Sequence, residues 1–333
     1  MASLDLSALT LTQLRYLDAV ERLRSFRLAA DHCRVTQPAL SMQVQKLEEL
    51  LGFSLFDRSL SPVSPTARGE QVIVQARAVL REVARLAELV AAGESGLAGR
   101  YRLGVIPTLI SSLVPPLLRE FARRFPQAEL CVEELKTDQL LRRLLDGTLQ
   151  AGIAATPLNV SGVQEMPLLC EELVIYLSPN HALASREVLE QADLAGQRPW
   201  LLSEGHCFRT QSLAVCPGEC SLESQHGQLR FEGENFDTLI RIVDEGMGFT
   251  LLPELVARGF SEERRRAQVR PFVAPAPARE VSLLTSRQEA SGLAAKAVAS
   301  CVRESIAIGP KSTTRVLEPL HTPFDGAALH KQS

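Results

Sequence analysis

The 333-residue sequence contains no apolar run near the roughly 18 residues that would suggest a membrane-crossing helix. It also lacks a charge imbalance: the formal net charge is −3, which points to no strongly anionic or cationic partner. Its seven cysteines include no paired C-x-x-C knuckle, which counts against a zinc-ribbon fold. No solenoid-type repeat is present. Asp5, Arg15 and Asp18 interrupt what a signal peptide would need as a continuous apolar core, so a cytoplasmic protein is expected. There the cysteines are mostly reduced, and any disulfide is transient and regulatory. What is present is ordinary for a soluble globular chain, at 45% hydrophobic and 23% charged residues. The length suffices for two or three domains with sizeable cores.

Near the N-terminus, Leu14, Leu17 and Val20 recur at helical spacing. Ser25 is placed to cap a short second helix, and Thr36 a third that tolerates Pro38 in its first turn and stops at Gly52. In that third helix Leu40, Val44, Leu47 and Leu51 share one face. Pro38, Ser41, Met42, Gln45 and Lys46 lie largely opposite. This order predicts a helix-turn-helix whose second helix enters the DNA major groove by its N-terminal end. Gln45 suits a base edge, Thr36, Gln37 and Ser41 the start of the reading helix and its phosphates, and Met42 a thymine methyl. The following FSLFDRSLSPVSP reads as a β-wing, with Arg58 placed to meet phosphate or the minor groove. A plain three-helix bundle with a solvated face fits the same pattern. Residues 1–69 hold eight Lys or Arg and seven Asp or Glu, so bulk charge does not decide between them.

From Thr66 to about Ala92 there is no proline and only Gly69. Val72, Ala76, Val79, Val83, Leu86 and Val90 follow a 4,3,4,3,4 spacing, an a/d seam of nearly three heptads. One helix about 40 Å long would pair with a second copy along that stripe, or pack on its own domain. Gly93 to Gly99 reads as a linker. Beyond it, alternating strand and helix patterns predict parallel sheet covered by helices, restarting after Met166, hence two α/β lobes with a ligand cleft between them. A late strand near Val281 to Thr285 is expected to return to the first lobe. The expected domains are a winged helix-turn-helix (1–65), a linker helix (66–93), a two-lobed α/β sensor of periplasmic-binding-protein type (94–305) and a disordered tail (306–333).

The stretch AADHCRVTQPALSMQVQKLEELLGFSLFDR and the PTARGE after it resemble the LysR-type transcriptional regulators, and the order of parts fits that family to about residue 305. GVIPTL (104–109), LKTDQLL (135–141), LLSEGHCFRTQSLAVC (201–216) and GMGFTLLPE (246–254) are similar to its peroxide-sensing, OxyR-type branch. The resemblance implies that Cys207 is the peroxide-reactive cysteine and Cys216 the resolving one, with Cys220 as an alternative. It implies that Thr108, Thr137 and His206 help hold peroxide and that Arg279 supports the thiolate. It further implies double-stranded DNA, hydrogen peroxide, a homodimer or tetramer and RNA polymerase as partners, with no cofactor, no metal and no enzymatic turnover.

Thiolate attacks peroxide, so His206, Arg209 and a helix N-terminus after Gly205 are expected to favour the anion. A sulfenic acid then condenses with a second thiol. Across an intact helix Cys207 and Cys216 are too far apart to bond, so oxidation has to refold the segment. Rival readings are structural core cysteines (expected for Cys33, Cys131, Cys170 and Cys301), a zinc set using Cys207, Cys216, Cys220 and His206 or His226, a thiol peroxidase, and a LysR-type regulator answering to a small organic inducer.

Overall fold

The computed structural model of the chain describes residues 6–92, 97–216, 231, 233–286, 292–306 and 314–317. It divides into two compact units, Met1–Ser95 and Gly96–Ser333.

In the first unit, α1 (Leu11–Leu23), α2 (Phe26–Cys33) and α3 (Gln37–Leu51) bury Leu14, Leu17, Val20, Leu40, Val44 and Leu47 in one core. The Ser25 hydroxyl accepts from the Leu28 N–H, which starts α2. Thr36 stands at the N-cap of α3, but its side chain makes no capping bond. That corrects the expected cap. The pre-set φ of Pro38 within the first turn serves α3 instead. The wing is a two-stranded pair, β1 (Phe56–Asp57) and β2 (Ser64–Pro65). The Thr66 hydroxyl then accepts from Gly69 N–H and opens α4 (Ala67–Ala92). A Cβ at Gly69 would lie 2.0 Å from the Leu55 carbonyl oxygen, so only glycine lets this helix cross so close to the wing.

The α4 seam is split, which corrects its reading as one continuous stripe. Ala76 is buried in the first unit's own core beside Ile73, and Val72 packs against it. Arg77 on the same helix pairs with Asp18 and Glu21 of α1. Beyond that turn Val79 is 38% and Leu86 63% exposed, and Val83 is half-buried. Val90 lies in α4, its side chain outside the described residues.

The second unit begins with β3 (Gly99–Val105), α5 (Pro107–Arg124), β4 (Ala128–Glu134), α6 (Thr137–Leu145) and β5 (Ala151–Thr156), whose strands run parallel in the order β4-β3-β5. The expectation of parallel sheet holds among these three strands, whereas the strands that follow, through Ser286, pair antiparallel. The next strand, β6 (Val163–Leu177), is fifteen residues long and serves both lobes. Then come α7 (Cys207–Val215), α8 (Phe236–Asp244), β7 (Phe249–Pro253), α9 (Glu254–Ala257), α10 (Glu262–Gln268), β8 (Val269–Pro271), β9 (Ala276–Ser286) and α11 (Leu293–Ser305). The early part of β6 pairs antiparallel with β9, and its later part antiparallel with β7 and β8. Its register slips between Pro167 and Leu169, where proline has no N–H for the ladder. β9 returns to the first lobe as expected, but antiparallel to β5. Leu103, Leu109, Leu113 and Ile153 centre the first lobe's core; Leu173, Ile175, Phe249 and Leu251 centre the second.

The tail departs from the expected disorder at the few residues described. Thr314–Val316 form β10, parallel to β9, and Leu317 is buried in the second lobe's core. Residues 307–313 and 318–333 lie outside the described residues. No described helix is long and apolar enough to cross a membrane.

Candidate functional site

Gly205 takes φ +87°, a left-handed turn that side chains disfavour. It aims the chain so that His206 becomes the N-cap and Cys207 the first residue of α7. The helix then straddles the lobes. Phe208, Val215 and Cys216 enter the second lobe's core, with Phe208 edge-on to Phe236 at 4.9 Å. The Cys207 side chain instead packs against the first lobe's core.

There it meets α6. Thr137, the first residue of that helix, places its hydroxyl 3.0 Å from the Cys207 sulfur, either atom serving as donor. Thr108, in the first turn of α5, accepts from an Arg279 guanidinium N–H at 3.0 Å. Arg279 lies on β9 with a side chain fully buried against Glu171 of β6, its Nε donating to Glu171 Oε1 at 2.6 Å. The same guanidinium lies 5.3 Å over the Phe208 ring. The first turns of three helices thus supply Thr108, Thr137 and Cys207, and helix N-termini carry partial positive charge.

The thiol is nevertheless held in its protonated form. Burial pushes Cys207 above its usual 9.0. The Thr137 bond, the Arg279 charge and a backbone N–H pull the other way without prevailing, and Asp138 adds to the rise. His206 does not supply the expected positive charge: burial and nearby Lys136 push it below its usual 6.5, with Glu234 opposing. Its Nε2 is buried with no hydrogen-bond partner among the described residues. Arg209 is also diverted, donating to the Leu202 carbonyl at 2.8 Å. The groups that pull toward the anion are Thr137, Arg279 and a backbone N–H, and burial outweighs them. Lys136, the N-cap of α6, pairs with Glu234, its stem 4.0 Å from where a Cβ at Gly205 would stand.

The site therefore gathers Thr108, Thr137, His206, Cys207 and Arg279. Two residues were missed in the sequence. Glu171 sits within the apolar stretch LLCEELVIYL, where strand pattern alone drew notice. Gln211 is one turn beyond Cys207, fully buried, with both amide atoms lacking a partner among the described residues. Its i+4 spacing from Cys207 was the available signal.

Cys216 caps the far end of α7 and is buried; no disulfide joins it to Cys207. The nine-residue helix between them advances about 13 Å, against the roughly 4.4–6.8 Å between Cα atoms that a disulfide needs. Cys220 and His226 lie outside the described residues, and no group of three or more metal-binding side chains is found among those described. Cys301 is buried as expected of a core cysteine, whereas Cys33, Cys131 and Cys170 are only half-buried.

A second candidate surface is on the first unit. Thr36, Gln37, Pro38, Met42, Gln45 and Lys46 are exposed along the front of α3, and Ser41 is half-buried. Gln45 donates to Glu49 at 3.1 Å. Arg58 is less available than expected: it pairs with Glu48 at 2.8 Å and lies 4.9 Å over the Phe26 ring.

Residues 11–70 match the bacterial regulatory helix-turn-helix protein, lysR family, and residues 94–307 the LysR substrate binding domain. The DNA-binding transcriptional dual regulator OxyR of Escherichia coli is 36% identical over 278 residues, 83% of this chain and 89% of that protein. A probable hydrogen peroxide-inducible genes activator of Streptomyces viridosporus is 34% identical over 299 residues, 89% of this chain and 94% of that protein. Among solved structures, a full-length OxyR variant from Pseudomonas aeruginosa aligns with a TM-score of 0.73 at 32% identity, covering 89% of this chain and 95% of that one. A hydrogen-peroxide-bound OxyR variant from Corynebacterium glutamicum aligns with a TM-score of 0.56 at 25% identity, covering 89% and 92%.

Proposed function

Because the chain belongs to the LysR family of DNA-binding transcription regulators, we propose that it is a peroxide-sensing member, switched by oxidation of Cys207 and disulfide formation with Cys216. One observation carries the reading: a thiol at the head of α7 bonds Thr137 at 3.0 Å, while an intact helix separates it from Cys216. The names of the relatives, hydrogen peroxide-inducible activators, point the same way.

In the proposed reaction the Cys207 sulfur attacks one peroxide oxygen. The S–O bond forms as the O–O bond breaks, and the departing oxygen takes the thiol proton to leave as water. Thr108 already accepts from Arg279, so its own hydroxyl proton is available to the departing oxygen. Thr137 donates to the sulfur as its proton leaves, before attack draws the charge onto the departing oxygen, and the Gln211 amide and His206 Nε2, without partners among the described residues, are polar groups that a small polar guest would satisfy. The sulfenic acid then condenses with the Cys216 thiol, forming the S–S bond and releasing a second water.

Closing that bond requires α7 to unwind and Cys216 to leave the second lobe's core. The loss of that packing is what turns chemistry into shape change. The DNA-reading face is the front of α3, and the exposed Val79 and Leu86 of α4 mark the surface that pairs two copies. A small organic inducer bound by Arg279 fits less well, because that guanidinium is already occupied by Glu171 and Thr108.

The test is a Cys207→Ser variant beside wild type, each treated with hydrogen peroxide, then mapped by mass spectrometry and footprinted on operator DNA. Wild type is expected to gain a Cys207–Cys216 crosslink and a changed footprint, the variant neither. A variant that still shifts its footprint, or wild type with no bond at Cys207, rules the reading out.

A further inference from the structure

Beside the start of α7 lies a buried ion pair whose guanidinium sits 5.3 Å over the ring of Phe208, the residue after Cys207. The side chains of Arg279 and Glu171 are both 0% exposed. The two residues stand directly opposite each other on antiparallel β9 and β6, so strand register itself brings them together. Glu171 Oε1 accepts from Arg279 Nε at 2.6 Å and forms an ion pair with a terminal guanidinium nitrogen at 2.5 Å. The other face of the guanidinium is taken by Thr108, through its hydroxyl at 3.0 Å and its carbonyl at 3.4 Å. Glu171 Oε2 accepts from the Leu255 N–H at 3.4 Å, which ties the carboxylate to the start of α9. Neither partner has freedom to turn away.

We propose that Glu171 is a positioning residue for Cys207: it fixes the Arg279 guanidinium beside the start of α7 and cancels most of its charge, so that it restrains the thiol's reactivity at rest. It rests on Cys207 being the reactive thiol. A full positive charge beside a buried thiol would move its ionisation by about one to three units. At the thiol, burial outweighs the Arg279 contribution, and the buried carboxylate bonded to that guanidinium at 2.6 Å is the charge that offsets it. The other charged and titratable groups around the thiol are Asp138 and Lys136 at the head of α6, His206 at the head of α7, and Glu234, which pairs with Lys136. Among the described residues none of them shares a hydrogen bond or ion pair with Glu171, whose partners are Arg279 and Leu255. Thr108 and Thr137 are neutral.

The measurement is the pH profile of iodoacetamide labelling at Cys207, read peptide by peptide so that the other cysteines do not interfere, in full-length wild type and Glu171→Gln. The amide keeps size and an acceptor but removes the charge. The labelling midpoint is expected to fall by about one unit or more. Leaving a buried guanidinium without its counter-charge is costly, so Glu171→Asp, which keeps the charge but draws it back by one methylene, is measured alongside. It is expected to fold and to move the midpoint down by less. A merely structural role would lower the melting temperature and leave the profile alone. An unmoved or rising midpoint in either folded variant overturns the proposal. Labelling does not depend on peroxide being the signal. A falling midpoint in a protein that peroxide fails to oxidise would uphold Glu171's role and remove the peroxide reading.

Discussion

The hydrogen bond between Thr137 and Cys207 reverses direction with the state of the sulfur. A protonated thiol donates weakly to the threonine oxygen; a thiolate can only accept. At 3.0 Å the hydroxyl is already in place for the second arrangement, so it stabilises charge as it develops and needs no rearrangement. Thr137→Val keeps the shape and removes the donor. Oxidation of Cys207 by hydrogen peroxide is expected to slow by about a hundred- to a thousandfold, followed by rapid quench and mass spectrometry at one pH. Loss of a buried hydrogen bond alone would lower stability by about 1 kcal/mol without slowing the thiol, and an unchanged rate would deny Thr137 its role. At this scale Thr108, Thr137, His206 and Cys207 were legible because each sits in a short motif, and Arg279 was legible only through the resemblance, as the arginine opening the late strand. Glu171 was not. Its partner arrives 108 residues later in the chain, and a carboxylate within an apolar strand looks the same in sequence whether it faces solvent or a buried arginine.

Element by element, the helices were easier to read than their partners. The apolar period marked α1 and α3, and the positions of Ser25 and Gly52 marked an end of α2 and α3, because these signals are local. Heptad spacing along α4 says which side chains line up, not what covers them. The first turns of that stripe go to the α1–α3 core through Ala76, while Val79 and Leu86 farther along are exposed. The two halves should therefore respond differently to a buried charge. Leu86→Glu is expected to leave the first unit folded and to weaken dimerisation, at about 1.5–3 kcal/mol per lost leucine burial, measured by analytical ultracentrifugation. Ala76→Glu, which forces a carboxylate into a core position 4% exposed, is expected to lower the melting temperature sharply. If Leu86→Glu leaves the self-association constant where it was, the pairing surface lies elsewhere.

For the whole molecule, the strand–helix alternation foretold an α/β fold but not how the lobes are joined. One long strand, β6, belongs to both, a fact that depends on pairings no local pattern records. Burial spread over the second unit also shapes its response to pH. His181 and His206 are both pushed below 6.5 by burial, so on acidification the unfolded chain takes up their protons first, and stability falls below about pH 6.5. Cys207 and Cys301 are both pushed above 9.0 by burial. The unfolded chain releases those protons first, so stability falls again above about pH 9. The melting temperature of the reduced protein is expected to be highest between these limits, and a His206→Gln variant to lose part of the acid-side decline. On the alkaline side the same burial links stability to reactivity, since the pH that begins to charge Cys207 also loosens the packing that keeps α7 wound. Peroxide oxidation of Cys207 should therefore accelerate above pH 9 as the melting temperature drops. A melting temperature that climbs from pH 7 to pH 5.5, or an oxidation rate that is flat through pH 9 while stability falls, would break that link.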